Sequence, residues 1–394
     1  DAELGEAVVM RLHLPKDGVR EFTLPLTAVN SREEFRKNMS MYGVAVSKME
    51  DIMQYTTTWV NELQATTVAD EAHKQFGWTD TECSSFVLGN QEIFKDRVEF
   101  NPPSSQTLSL FPAFEPKGTL EEWKKTINFY NRDGFELHQF IVGSSFGSAL
   151  MQLSPINCAA LHIHSKDSGV GKTTALNAAV SVWGSPEELV MNKQDTFNTK
   201  MHRGEIYHNL PLYMDELTNS EGTELSNLVY QLTGGRQRGR MSGSSNAERY
   251  RGKPWKLLSV TTGNTSVIER IGTAKSMPKA EAQRMLEVKV DRLFTKSEDK
   301  ESQDNFSAAL EEHYGHAGKV YVQYVMSNLE ASRKLINEVR VKVDKAAGLT
   351  SENRFWSAFA TNTMAGLLLA KRAGLVEYDT GKVFKWAISM LKQN

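Results

Sequence analysis

The chain switches between two periodicities. Apolar and polar residues alternate from Val8 to Leu26. There Val9-Met10-Arg11-Leu12-His13-Leu14 and Glu21-Phe22-Thr23-Leu24-Pro25-Leu26 flank Pro15-Lys16-Asp17-Gly18, which predicts a β-hairpin. A helical period follows. Ser31 with Glu34 and Ser47 with Glu50 have capping-box spacing and predict two helix starts. The second helix is expected to bury Met49, Ile52, Met53, Tyr55 or Trp59, and Leu63 on one face. Strand character returns over 71–95, around Phe76-Gly77-Trp78 and Phe86-Val87-Leu88, before the linker-like Asn101-Pro102-Pro103-Ser104-Ser105. Thr119 with Glu122 opens a third capped helix carrying Leu120, Trp123 and Ile127 on one side, and 136–153 continues helical.

From Cys158 to about residue 292, apolar runs alternate with helical stretches, the pattern of a mostly parallel α/β sheet. The polar 297–304 reads as a connection. Residues 305–394 are helical, with Phe355, Phe359, Met364, Leu367 and Leu368 marking an apolar face. Three regions are expected: a small α+β region over 1–115, an α/β core over 116–294 and a helical region over 295–394.

Composition narrows the class. Of 394 residues 40% are hydrophobic and 24% charged, a globular balance that supports sizeable cores. The net charge of −2 leaves no global basic field, so any contact with nucleic acid has to come from a local patch. Cys83 and Cys158 stand far apart, which fits a reducing cytoplasm and argues against a disulfide framework. The run from Phe140 to Leu153 is interrupted by Gly143, Ser144, Ser145, Gly147 and Ser148. It falls short of the ~18 apolar residues that span a bilayer, so no membrane segment is expected. The start at Asp1 rather than Met suggests a piece of a longer protein.

Candidate chemistry begins after the apolar run Cys158-Ala159-Ala160-Leu161-His162-Ile163-His164. Ser168-Gly169-Val170-Gly171-Lys172-Thr173-Thr174 separates that run from a helix-like stretch over 175–183. Strand, glycine loop, Lys-Thr and helix is the arrangement of a phosphate-binding P-loop. The glycines let successive N–H groups turn inward at phosphate oxygens, and the helix start adds its positive end. Lys172 would reach the β- and γ-phosphates of ATP, and the Thr173 hydroxyl would ligate Mg²⁺. Lys166 stands where the motif's first glycine would be.

A second apolar run, Leu210 to Met214, ends in Asp215-Glu216, far enough past Lys172 for an intervening helix and strand. Asp215 is expected on Mg²⁺ through its water shell, and Glu216 on the attacking water. A third run, from Lys256, ends in Thr261-Thr262-Gly263-Asn264. Asn264, with Thr262 as the alternative, is the expected polar sensor near the γ-phosphate, as in ring ATPases of the AAA+ kind. Arg236, Arg238, Arg240, Arg249, Arg251 and Lys253 lie between these runs, with Glu248 the one acid among them. Cations among glycines and serines suit contacts to the phosphate backbone of single-stranded DNA. Arg284, ahead of an edge-like strand, is the preferred arginine finger, and Arg270 the second choice. His162 and His164 share a strand face and read as structural, with no further ligand nearby.

Taken in order, Ser168 to Leu176 with Val182-Trp183-Gly184-Ser185-Pro186, Tyr213-Met214-Asp215-Glu216, Val229-Tyr230-Gln231-Leu232-Thr233-Gly234-Gly235, Trp255-Lys256-Leu257-Leu258 and Thr261-Thr262-Gly263 resemble the primase-helicase ATPases of phages and mobile elements. That family is usually described as a domain of unknown function, and its nearest characterised relatives are the superfamily 3 helicases within AAA+. Phe76-Gly77-Trp78 and Phe86-Val87-Leu88 match its Gly-Trp and Phe-Val elements, extending the resemblance over roughly residues 30–290. It implies an AAA+-like core and a homo-hexameric ring that hydrolyses ATP with Mg²⁺ to move on single-stranded DNA. It also implies a primase in the same full-length chain and a place in the cytoplasm of the host cell. The sequence departs from the family at Lys166 and at Asn264, where many relatives carry an acid. Two other readings stay open: a nucleotide-gated scaffold or loader, and a small-molecule P-loop kinase, which has no use for the arginine-rich loop.

Overall fold

The computed structural model describes residues 5–16, 18–69, 72–104, 106–167, 169–217, 220–239, 252–275, 278–290 and 297–394. The chain divides into two units, one of 1–74 with 100–111 and one of 75–99 with 112–394.

In the first unit, β1 (Ala7–Leu14) and β2 (Gly18–Pro25) form the expected antiparallel hairpin, in register from Ala7 opposite Pro25 to Leu14 opposite Gly18. Phe22 and Leu24 pack with Phe35, Met39 and Val60 from the helices that follow, α1 (Leu26–Val29), α2 (Arg32–Met41) and α3 (Met49–Thr66). Ser31 caps α2 by accepting the Glu34 N–H. Two details differ from expectation. Lys48 precedes α3 and its side chain makes no cap hydrogen bond, so the Ser47–Glu50 box does not form. The inward face of α3 runs through Met49, Ile52, Met53, Thr56, Val60 and Leu63, while Tyr55 and Trp59 are 66% and 54% exposed. Thr56 can be buried because its hydroxyl donates to the Ile52 carbonyl oxygen at 2.8 Å.

In the second unit, β3 (Gly77–Trp78), β4 (Phe86–Leu88) and β5 (Gln91–Ile93) pair antiparallel, with β6 (Val98–Phe100) beside β5. Thr119 caps α4 (Leu120–Ile127), which buries Trp123 and Ile127 as expected. Then α5 (Glu136–Leu150) is buried on every face and leads to β7 (Cys158–His164). The α/β alternation continues through α6 (Lys172–Val180), α7 (Pro186–Leu189), α8 (Phe197–Tyr207), β8 (Leu212–Met214), α9 (Gly222–Gly234), β9 (Leu257–Gly263), α10 (Val267–Gly272), α11 (Lys279–Ala282) and β10 (Met285–Lys289). These four strands form one parallel sheet in the order β10-β7-β9-β8, extended beyond β8 by a parallel bridge from Met191 to Met214. The mixed α/β core with a mostly parallel sheet is therefore as expected.

The same unit holds α12 (Ser297–Glu312), α13 (Ala317–Ser327), α14 (Leu329–Ala347), α15 (Arg354–Arg372) and α16 (Thr380–Gln393). The polar stretch 297–304, expected as a connection, is the first half of α12. Its anchors lie further on, at Leu310 and at Phe306, whose ring stacks on Phe129 at 4.4 Å, so the first turns carry no apolar period to read. Helices α5 and α15 cross at small residues: a Cβ on Gly147 would stand 2.5 Å from the Asn362 carbonyl oxygen. Among the described residues no helix is long and apolar enough to cross a membrane.

Candidate functional site

Parallel strands bring their C-terminal ends to one edge of the sheet. The register pairs His164 of β7 with Gly263 of β9, and Met214 of β8 with Thr261 of β9. The residues at and just beyond those ends, namely the loop 169–174, Asp215-Glu216 and 262–264, line one cavity of about 210 Å³. This is the crevice where open α/β sheets bind ligands.

The phosphate loop is shaped by its glycines. Gly169 has φ +70° and Gly171 φ +84°, left-handed values that strain any residue with a Cβ. Gly171 sits at the start of α6, so the helix's unpaired N–H groups and its positive end face the cavity. Lys166 is not among the residues with positive φ, which explains why this position tolerates a side chain. Val170 is buried and pins the loop to the core, and the Ser165 N–H donates to the Gly263 carbonyl at 3.3 Å. Ser168 lies outside the described residues.

Around the loop the polar groups are mutually bonded. Lys172 Nζ donates to the carbonyl oxygens of Ser165 at 3.3 Å and Asp167 at 3.4 Å. Burial pushes its pKa down, against the opposite pull of Asp215, Asp167 and Glu216. The Thr173 hydroxyl donates to Asp215 Oδ2 at 2.8 Å. Asp215 Oδ1 accepts from the Thr262 hydroxyl and, at 3.1 Å, from the Glu216 N–H. Glu216 has φ +54°, unusual for a residue with a side chain, and its carboxylate meets Lys193 Nζ at 2.8 Å. Asn264 lines the same cavity from an exposed position. Lys172, Thr173, Asp215, Glu216, Thr262 and Asn264 thus line one cavity.

The donor set suits a hard cation. Thr173 and Asp215 present a hydroxyl and a carboxylate oxygen side by side, the kind of partial oxygen shell that Mg²⁺ accepts while keeping waters. Among the described residues no group of three or more His, Cys, Asp and Glu could hold a metal by itself. His162 is structural as expected: its ring bonds Thr261 Oγ1 at 2.8 Å and the Thr265 carbonyl at 3.0 Å, and burial lowers its pKa to about 3.

The remaining candidates lie elsewhere. Arg284 precedes β10, at the opposite end of the sheet from the phosphate loop. Its guanidinium donates to Thr233 Oγ1 at 3.1 Å and lies 4.8 Å and 5.0 Å from the ring centroids of Tyr230 and Phe355. Arg270 is exposed on α10, just past the C-terminal end of β9, without lining the cavity. The arginine-rich loop leaves α9 where β7 and β9 begin, since Trp255 N–H donates to Gly235 and Leu257 N–H to Asn157. Arg236 and Arg238 are exposed there, bonding the Gly252 carbonyl and Asn227 Oδ1, each at 3.1 Å. Glu205 holds the two ends of the loop together, accepting from Gln237 at 2.7 Å and from the Lys253 N–H at 2.8 Å. Arg240, Arg249 and Arg251 lie outside the described residues. Lys193 is the partner that sequence reasoning missed; nothing in the turn 192–195 marks it as a neighbour of Glu216.

Residues 13–251 match the family described as Domain of unknown function (DUF927). No curated protein matches the sequence. Among solved structures, one described as "SCCmec type IV Cch - active helicase" shares the fold, with a TM-score of 0.72 at 15% identity over 98% of this chain and 74% of that one. The family match spans more than half of the chain and agrees with the family to which the motif order points: this protein is a member of the DUF927 family.

Proposed function

We propose that this protein is the motor of a phage or mobile-element replication helicase, hydrolysing ATP to move along single-stranded DNA. One observation carries the reading: the phosphate loop, Asp215-Glu216 and the 262–264 turn line a single cavity at adjacent strand ends. The likeness in fold to a protein described as an active helicase points the same way.

In this reading the N–H groups of 169–174 and Lys172 hold the phosphates of ATP. Thr173 and Asp215 hold Mg²⁺, which when bound would neutralise charge between the β- and γ-phosphates. Glu216 leaves Lys193, orients a water for in-line attack and takes up its proton. Asn264 hydrogen-bonds near the γ-phosphate, and Thr262 fixes Asp215. The working unit is a homo-hexamer, in which Arg284 serves a neighbouring subunit's site and Arg236, Arg238, Arg240, Arg249, Arg251 and Lys253 contact the strand.

The test is ATP turnover with and without an unstructured oligonucleotide. Turnover is expected to rise with the strand. Turnover indifferent to the strand would favour a scaffold, and phosphate transfer to a metabolite a kinase; either would defeat the motor reading.

A further inference from the structure

A larger cavity in the second unit, about 730 Å³, lies between α14, α15 and the segment Leu153–Ile156 that leads into β7. Small-molecule sites are usually about 300–1,000 Å³. The phosphate loop follows β7 while this segment precedes it, so the two cavities sit at opposite ends of that strand.

Its floor is polar and unsatisfied. Thr361 and Asn362 line it and are 3% and 2% exposed, yet Thr361 Oγ1 and Asn362 Oδ1 have no hydrogen-bond partner. Asn362 uses its amide nitrogen on the Ala358 carbonyl at 2.8 Å, leaving an acceptor that calls for a donor. Pro155 and Ile156 from the segment before β7, with Ile336 and Leu349, give the lining an apolar part among Ser154, Asn337 and Thr350. Arg333, Arg340 and Arg354 line it with one lining carboxylate, Asp344, and Arg340 also donates to Asn337 Oδ1 at 2.9 Å. Asp344 is partly spent on the Ser357 hydroxyl at 2.6 Å and stands 3.9 Å from Arg340. Arg333 Nε is buried without a hydrogen bond, 3.5 Å from a carboxylate oxygen of exposed Glu330. Arg354 opens α15, whose positive end faces the same cavity.

A partly apolar slot, a buried acceptor and hydroxyl beneath it, and an excess of guanidinium in its lining match one kind of ligand. A nucleobase fills the slot and gives an N–H to Asn362 Oδ1, while its phosphate meets the arginines. We infer that this cavity is a second nucleotide-binding site, taking a nucleoside phosphate unit that is either free or part of a single strand. The inference does not rest on the motor reading, and it survives even if the phosphate loop never turns over ATP.

The test uses the full chain carrying Lys172→Ala, which silences the phosphate loop. Equilibrium dialysis with AMP is expected to find one equivalent bound. Arg340→Ala with Arg354→Ala should weaken it about tenfold or more, since charge-assisted contacts are lost. Thr361→Val keeps the shape and should weaken it about threefold, with the melting temperature as the check on folding. If AMP does not bind, an oligonucleotide carrying 4-thiothymidine should photo-crosslink to peptides containing Ile156 or Ile336 and lose that crosslink in the double-arginine variant; this outcome assigns the site to a strand. Neither AMP binding nor the crosslink, or signals that both variants leave unchanged, would overturn the inference.

Discussion

The two ends of one parallel sheet hold their charges in opposite ways. Where β7, β8 and β9 finish, each polar group is fixed by another: Thr173 and Thr262 both donate to Asp215, and the Glu216 N–H bonds the same carboxylate. Where β7 and β9 begin, Arg236 and Arg238 are exposed on a loop, Arg236 held by the Gly252 carbonyl and Arg238 by the side-chain amide oxygens of Asn227 and Gln231. Strand ends aim side chains through the backbone, so a site built on them is ordered before any ligand arrives. Long side chains on a loop keep more of their conformational freedom, and a phosphate contact must fix them. The difference suits preorganised chemistry at one end and adaptable, sequence-tolerant contact at the other.

The largest fall in turnover with nucleotide still bound should come from losing Arg284, which belongs to neither arrangement. It is fixed by Thr233 and two rings, yet far from its own phosphate loop. As a finger for a neighbouring subunit its loss should lower turnover by about 10³–10⁵. Mixing Arg284→Ala with Lys172→Ala subunits should restore some ATPase activity, because an intact arginine then meets an intact loop across one interface. Mixtures shown to co-assemble that recover nothing would transfer the role to Arg270.

Next come the fixed groups themselves. Lys172→Ala should abolish nucleotide binding, and Glu216→Gln should keep it while turnover falls about 10²–10⁴. Parallel titrations with a fluorescent ATP analogue and steady-state assays separate the two. A Glu216→Gln chain that hydrolyses ATP normally would remove Glu216 from the water. At the other end, Arg236→Ala with Arg238→Ala should weaken single-strand binding and flatten its salt dependence. Each lost phosphate contact lowers the log–log slope by about 0.7. Curves that superimpose on those of the parent chain would leave the loop a solvated surface.

The same contrast explains what the sequence could reveal. Strands β7, β8 and β9 were legible because buried parallel strands read as largely apolar runs. Asp215 and Glu216 were legible because they directly follow such a run, and Lys172 and Thr173 because a glycine loop joins another such run to a helix. The lateral order of strands is not written along the chain. Only when β9 is seen between β7 and β8 does Thr262 reach Asp215. Lys193 is illegible for a similar reason, since a single Met191–Met214 bridge sets its turn beside Glu216. Elsewhere local rules lost to packing: Tyr55 and Trp59 fit a helical face, but the hairpin meets the neighbouring face through Val60. In α12 the anchors Phe306 and Leu310 come too late to mark where the helix starts.

The smallest effect tests how firmly the ordered end is set before a ligand arrives. Lys193 holds Glu216 at 2.8 Å, and both side chains are about half exposed, at 51% and 49%. An ion pair in that much solvent is weak, so it biases Glu216 without locking it. The left-handed backbone at Glu216, braced by Asp215 and Thr262, keeps the residue in place whether or not Lys193 is there. Lys193→Ala should therefore raise basal turnover by about two- to fivefold, and the gain should shrink as salt screens the pair in the parent chain. Nucleotide affinity should stay unchanged, because Lys193 lies outside the cavity formed by the loop 169–174 and its partners. A fall in turnover would mean that Lys193 supports Glu216 during the reaction. It would then belong with the preorganised groups, which would extend to the turn beyond β8.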